Sequence, residues 1–552
     1  MSMGTMALAA NGATNKHTIT ITNTDQVGTH TYDAYQVFAG DYDATSKKLS
    51  NITWGAGVNG DAILTAVKAD TTTFGADAAN ATSAADVAAL LGTGEDTAKA
   101  KAFAAIVGNN LGSTVAGTST FAENKYTIPV TGDGYYFIKD KAPLPSDTDE
   151  KETHTADSET RYILQVVADV TITAKSGTVE SKKNVQDIND STETALSALA
   201  DSADYDIGDT IPYTLTMKLP ANYADYKTYT VSFIDDMSKG LDYVTGSAKI
   251  KYGSADAVAL TDPTAGTSTY TDGGHLWKWT IADLKTTATN LKCGDTITIT
   301  YNAKLNDSAV IGAAGNPNKY HVEFSNNPNG NGTGKTPDDL NIVFTYDIEV
   351  DKVTGTGSDK EKLQGAAFAL YKLYTTEALT IANAGRAEGS KLTAATSITY
   401  DNGTKNFAIG SDKWVLVGQK TAGTDSEFTF SGVDDGIYLL VETTTPAGYN
   451  SIEPSKFTVT ATHNNGDTPA FASITGTEVQ GTGLAPITLG PKTKSATDTS
   501  VTGLKTEVLN NSGTVLPSTG GIGTTIFYVV GSILVVAAGV LLITKKRMGR
   551  EG

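Results

Sequence analysis

Residues 294–305, GDTITITYNAKL, place a Gly-Asp turn before a run in which Thr alternates with Ile and Tyr. Successive side chains of an extended strand point to opposite faces, so this alternation describes a strand with one buried and one solvated face. The same pattern recurs in KHTITITNTD (16–25), RYILQVVADVTITAK (161–175), GDTIPYTLTMKLP (208–220), GIYLLVETTTP (436–446) and SKFTVTAT (455–462). Short alternating runs set between Gly, Asp and Asn clusters predict a mainly β chain of antiparallel β-sandwiches. One helical island interrupts them. Ser83 and Asp86 have the spacing of a capping box ahead of a helix to Leu91, and a second helix is expected from Glu95 to Leu111. The island is expected to be an insertion packed on the first module.

At 552 residues the chain should hold several domains. Asp and Glu outnumber Lys and Arg, 61 to 42, for a net charge of −19, which opposes nucleic-acid binding and suits a solvent-facing surface protein. One cysteine, Cys293, rules out an intramolecular disulfide framework and the usual Cys-based zinc sites. No cofactor and no metal site are expected. Acidic runs such as DINDSTETALSALADSADYDIGD (187–209) lack EF-hand ligand spacing and are expected to be solvated loops. With six His and acids scattered through turns, no paired-carboxylate or Ser/His/Asp constellation points to an enzyme.

Composition shifts predict five segments: 1–16, 17–175, 176–335, 336–512 and 513–552. The first division follows the strand ending at Lys175. The second falls in the Gly- and Asn-rich connector NNPNGNGTGKTPDD (326–339). PLPSDTDEKETHTADSET (143–160) is expected to be a loop too polar for a core. At the start, Ala7-Leu8-Ala9 has the small-residue form of a signal-peptide cleavage site, so a truncated start with maturation after Ala9 is expected.

The last segment runs from a polar pentapeptide, Leu516-Pro517-Ser518-Thr519-Gly520, into an uncharged stretch from Ile522 to Ile543 and then Lys545, Lys546, Arg547 and Arg550. Such a stretch is long enough to cross a hydrocarbon core as a helix, and the basic cluster marks its cytoplasmic end. LPSTG, span and basic tail together resemble the cell-wall sorting signal of Gram-positive surface proteins. The resemblance implies cleavage between Thr519 and Gly520 by a sortase, whose cysteine thiolate takes the Thr519 carbonyl as an acyl-enzyme before an amine resolves it.

The resemblance extends to the body of the chain. The second and third modules resemble the Ig-like β-sandwich domains, of collagen-adhesin A and B types, found in sortase-assembled major pilins. In those domains a buried lysine attacks an asparagine side chain, helped by a carboxylic acid, to form an intramolecular isopeptide bond. In DIEVDKVTGTGSDKEKLQGAAFALYKL (347–373), Ile348, Val350 and Lys352 share one face, and a lysine on an apolar face is the anomaly this chemistry predicts. YLLVETTTPAGYN (438–450) resembles the family's E-box and supplies Glu442 as the acid. In GLKTEVLNNSG (503–513), Thr506, Val508 and Asn510 share a face, so Asn510 is the expected acceptor, with Asn511 as the alternative. In the second module VESKKNVQD (179–187) favours Lys183 over Lys182, and SFIDDMSKGLDYV (232–244) supplies Asp235 as the acid. KYHVEFSNNPN (319–329) alternates Val322, Phe324 and Asn326 inward, which makes Asn326 the expected acceptor.

The first module resembles the family's N-terminal pilin domain through GTHTYDAYQVFAGDY (28–42) and GDGYYFIKDKAP (132–143). It lacks a lysine on its first strand, so no internal bond is expected there. The family's intersubunit lysine corresponds to Lys175 in VADVTITAK, although Thr173-Ala174 stand where Tyr-Pro is usual; Lys182 is the fallback. The resemblance implies a structural backbone subunit of a covalently polymerised pilus or fimbria that supports adhesion, exported and anchored to the cell wall. Its implied partners are a sortase, identical subunits, ancillary pilins, peptidoglycan and a host or extracellular-matrix ligand. The rival reading is a monomeric wall-anchored adhesin with a β-sandwich stalk.

Overall fold

The alternating runs pair into sheets in three successive stretches of chain, followed by one long helix. The computed structural model describes residues 16–22, 30–92, 98–141, 157–160, 163–166, 169–174, 177–384, 386–513 and 522–548. The protein is mainly β, with tandem sandwich modules.

In the first module the His17–Thr22 strand runs parallel to Val170–Thr173 and antiparallel to Lys125–Val130. A second sheet pairs Thr31–Asp43 with Gly134–Lys141. Ile19, Ile21, Tyr32, Tyr126, Ile128 and Ile138 fill the space between them. Helices Gly60–Ala69, Ala84–Leu91 and Ala98–Gly108 bury Ile63, Val67, Val87 and Phe103 against Phe38 and Phe137. The Ser83–Asp86 capping box forms as expected. The first helix of this island was not legible in the sequence.

The second module faces two sheets. One contains Glu180–Val185, Thr210–Lys218, Thr296–Leu305 and Lys249–Tyr252; the other contains Ser202–Asp204, Asp339–Phe344, Asn316–Ser325, Val231–Met237 and His275–Ile281. The opening stretch of the sequence lies in the first sheet, with Ile297, Ile299, Tyr301, Ala303 and Leu305 inward. Each of the Ile and Leu side chains removed from water here contributes about 1.5–3 kcal/mol. In the third module the first and last strands, Tyr346–Thr354 and Val501–Leu509, are parallel neighbours. They face a sheet built on Ala367–Tyr374, Gly436–Thr444 and Ser455–Asn464. The last described element is the helix Ile522–Met548, which contains the apolar span Tyr528–Lys546.

The structure departs from the expected organisation in three places. Residues 326–339 do not divide the modules, because the Asp339–Phe344 strand joins the second module's sheet beside Asn316–Ser325 and the sheets change at Thr345. A Gly- and Asn-rich hairpin and a linker have the same local chemistry; only the strand's pairing tells them apart. The acidic run 187–209 is not a solvated loop: Asp190, Asp201, Asp204 and Asp209 are buried. The end of the polar loop before Arg161 is buried too, with Asn222 donating to the Glu159 carbonyl (3.1 Å) and Asn329 to that of Thr160 (3.0 Å).

Candidate functional site: two buried lysine, acid and asparagine clusters

Lys352 lies near the end of the third module's first strand, where parallel pairing sets it beside Val508 and Val353 beside Leu509. Asn510 follows at once, its amide held by the Val353 carbonyl at 3.0 Å. Parallel register therefore brings the two side chains to the same level, and Gly436–Thr444 in the facing sheet supplies Glu442. The Lys352 amine donates to Asn510 Oδ1 and to the Val508 carbonyl (3.2 Å), and its nitrogen is 3.1 Å from Glu442 Oε1. Asn510 Nδ2 is 3.0 Å from each Glu442 oxygen, and Thr445 Oγ1 donates to Oε2 at 3.1 Å. Lys352 and Asn510 are fully buried and Glu442 nearly so. Burial pushes the Lys352 amine below its ordinary value, against the upward pull of Glu442. An amine that gives up its proton readily thus faces a carboxamide, with one carboxyl bridging both. Asn511, the alternative acceptor, is exposed and uses its carbonyl to bind the Asn450 amide.

The second module builds a comparable cluster with a different asparagine. Lys183 and Asp235 are both fully buried and paired. The Lys183 amine also donates to Tyr301 OH at 2.9 Å, and Tyr301 OH donates to Asp235 Oδ2 at 2.5 Å. The carboxamide in this group belongs to Asn318, whose Nδ2 donates to Tyr301 OH at 3.1 Å and reaches Asp235 Oδ2 at 3.5 Å. Its Oδ1 is buried and makes no hydrogen bond. Burial lowers the Lys183 amine's pKa, with Asp235 opposing, and raises that of the Tyr301 hydroxyl well above its usual range.

Asn326, the expected acceptor, is not in this group. Register pairs Met237 with Asn318 and Val231 with Phe324, so Asn326 lies past the opposite end of the strand from Asn318. Its amide donates to the Gly332 carbonyl (3.3 Å), and its carbonyl accepts from Glu159 at the boundary with the first module (2.6 Å). Asn318, Tyr320, Val322, Phe324 and Asn326 are separated by even steps and all face inward, so period two could not choose between the two asparagines. The same counting could have flagged Tyr301, an inward hydroxyl on the strand that reveals the fold.

Lys175 and the LPSTG residues Leu516, Pro517, Ser518, Thr519 and Gly520 lie outside the described residues. Lys182 is half-exposed, 2.9 Å from Asp201 and 3.4 Å from Asp339. Among the described residues one cluster has carboxylates close enough for a metal: oxygens of Asp190, Asp206, Asp209 and Asp434 lie within 4.8 Å of one another. The ammonium of Lys372 already binds three of the four.

Residues 347–472 match the SpaA prealbumin-like fold domain, and residues 509–548 match the LPXTG cell wall anchor motif. A trypsin-resistant surface T6 protein of Streptococcus pyogenes serotype M6 is 24% identical over 441 residues, covering 72% of this chain and 73% of the relative. Among solved structures, the T6 backbone pilin of serotype M6 Streptococcus pyogenes is similar with a TM-score of 0.49 at 16% identity, covering 91% of this chain and all of that one. The major pilin SpaD of Corynebacterium diphtheriae gives a TM-score of 0.43 at 15% identity, covering 91% of this chain and 99% of that one. In sequence the chain is thus similar to a prealbumin-like domain over part of its third module, to a cell wall anchor motif at its end, and to a streptococcal surface protein over most of its length. LPSTG followed by an apolar helix is the arrangement of a cell-wall-anchored surface protein.

Proposed function

We propose that this anchored relative of Gram-positive backbone pilins is the structural subunit of a covalently polymerised pilus, stiffened by internal amide bonds between Lys183 and Asn318 and between Lys352 and Asn510. The arrangement of Lys352, Glu442 and Asn510 carries this reading, since each atom the reaction needs is within hydrogen-bond reach in a water-excluded core. The lysine nitrogen, once neutral, attacks the asparagine Cγ. Glu442 takes the proton from the amine and delivers it to Nδ2, a bond forms between Nζ and Cγ, the bond from Cγ to Nδ2 breaks, and ammonia leaves. Asp235 has the same role in the second module, with Tyr301 holding both carboxylate and carboxamide in place. No other catalyst is required, so the chain is a reactant in its own maturation and a substrate for a sortase.

Each bond would close most of its module into a covalent loop. Tension entering at Lys352 would pass straight to Asn510 and bypass the chain between them, which offers a mechanical role that disulfides cannot fill in a chain with one cysteine. Joining the Thr519 carbonyl of one subunit to Lys175 of the next gives a head-to-tail, open filament. Intact-mass measurement of the purified chain tests the internal bonds: a deficit of two ammonia molecules against the sequence is expected, and full sequence mass would refute them.

A further inference from the structure

The second and third modules meet across an acidic surface that holds too few cations for its carboxylates. The run 187–209 docks on the third module through main-chain and side-chain bonds. Ser191 Oγ donates to the Leu373 carbonyl (2.7 Å), Thr375 N to that of Asp190 (2.8 Å) and Ile207 N to that of Gly432 (2.9 Å). Asp434 N donates to Asp206 Oδ1 and Asp435 N to Asp204 Oδ2, both at 3.0 Å. The close approach depends on Gly436, at φ +142°, where a Cβ would lie 2.8 Å from Ser191 Oγ and 3.0 Å from Lys372 Cε.

At the centre the buried Lys372 ammonium donates to Asp190 (2.7 Å), Asp206 (3.1 Å) and Asp434. Asp209 adds a fourth carboxylate and pairs with Arg386. Asp187, Asp204 and Asp435 lie beside them, with Asp204 N donating to Asp187 Oδ2 at 3.2 Å. The remaining titratable neighbours are Glu193, Tyr205, Tyr346, Tyr374, Tyr438 and His463, whose Nε2 is 4.0 Å from Asp204 Oδ1 and 2.7 Å from Tyr346 OH. Among the described residues, seven aspartates therefore share one lysine and one arginine. Like charges a few ångströms apart in a desolvated site cannot all be ionised, so protons must make up the difference.

We infer that this junction is a proton-set latch, pinned by Lys372, which locks the second and third modules together more tightly as the pH falls from 8 to 5. Burial, followed by neighbouring carboxylates, pushes Asp187 up to about 7 and Asp209 up to about 8, and Asp190, Asp204, Asp434 and Asp435 rise as well. Their pKa values are higher in the closed junction than in the open one, so closure binds protons. The stabilisation is complete at low pH and is lost as pH rises through about 7 to 8. Lys372 is raised well above 10.5 and stays charged throughout this window, while burial holds His463 down to about 4 and keeps it neutral. The sign is opposite to that of ordinary salt bridges, which acid breaks. The latch does not depend on the amide bonds.

Hydrogen–deuterium exchange on the full chain in detergent, at pH 5, 6.5 and 8 and corrected for intrinsic rates, tests this. The reporters are the amides of Ile207, Thr375, Asp434, Asp435 and Ile437, which donate across the junction; those of Leu215 and Ile299 are internal references. Protection of the reporters is expected to be at least about tenfold higher at pH 5 than at pH 8, with the references unchanged. Lys372→Met should lose reporter protection at pH 8 and recover it at pH 5. Asp190→Asn keeps an acceptor but removes one charge, so it should bring protection at pH 8 up toward the pH 5 level. Should Lys372→Met fail to fold, seen as exchange at the Val350 and Leu504 amides of the third module's first and last strands, Asp190→Asn decides. Protection that is flat or falls on acidification would overturn the latch, as would Asp190→Asn weakening the junction at both pH values. So would millimolar Ca²⁺ restoring protection at pH 8, which would make the cluster a metal site.

Discussion

Replacing Asn318 with Ala should leave the second module a linear chain, whereas replacing Asn326 should leave its cross-link intact. A bond from Lys183 to Asn318 closes a loop of about 135 residues, and the chain-entropy relation for a cross-link of that span gives about 5 kcal/mol. Removing the acceptor also takes away the amide that would be left beside Tyr301 and Asp235 in the cross-linked module, worth about 1–3 kcal/mol more. For a module of this size, about 6–8 kcal/mol corresponds to a fall in Tm of about 12–30 °C. Asn326 binds its neighbours through its backbone and its Oδ1 makes no hydrogen bond, so Asn326→Ala should shift Tm by only a few degrees. Intact mass reads the chemistry and calorimetry reads the stability, with the third module's transition as internal reference. Asp235→Asn, which preserves shape but removes the acid, should match Asn318→Ala in lacking only one ammonia molecule against its own sequence mass. An Asn318→Ala chain that still lacks two ammonia molecules, or an Asn326→Ala chain that lacks only one, would refute the assignment.

Glu442→Ala should abolish one of the two ammonia losses and spare the other, since the clusters lie in separate cores; mass spectrometry of the variant would show loss of both if they were coupled. Tyr301→Phe removes the hydroxyl that contacts Lys183, Asp235 and Asn318, so bond formation in the second module should slow by about tenfold, the equivalent of one buried hydrogen bond, while the third module matures at its usual rate. Mass measured over time after refolding checks this. Lys175→Ala in the native organism should abolish the ladder of detergent-resistant multimers on immunoblots of wall extracts while leaving an anchored monomer. An unchanged ladder would transfer the role to another amine, Lys182 first, and a single band from the unmutated chain would favour the monomeric adhesin.

Period two and the apolar span are properties of neighbouring residues, and these the sequence determines by itself. Alternation in GDTITITYNAKL and its counterparts specifies half-buried strands, hence sandwiches, and the uncharged run after LPSTG specifies a span. The same periodicity sets Lys183, Lys352 and Asn510 on inward faces, and the structure brings Lys352, Glu442 and Asn510 into one cluster. Periodicity gives the face of a strand but not its depth or its partner. Asn318 and Asn326 occupy the same face, and only the antiparallel register against Val231–Met237 decides which of them meets Asp235. Pairing likewise decides that Asp339–Phe344 completes the second module instead of opening the third. The run 187–209 reads as solvated because its charge is counted along the chain. Whether water or another module covers it depends on residues such as Lys372, more than 160 positions away, which the fold alone brings to the same place.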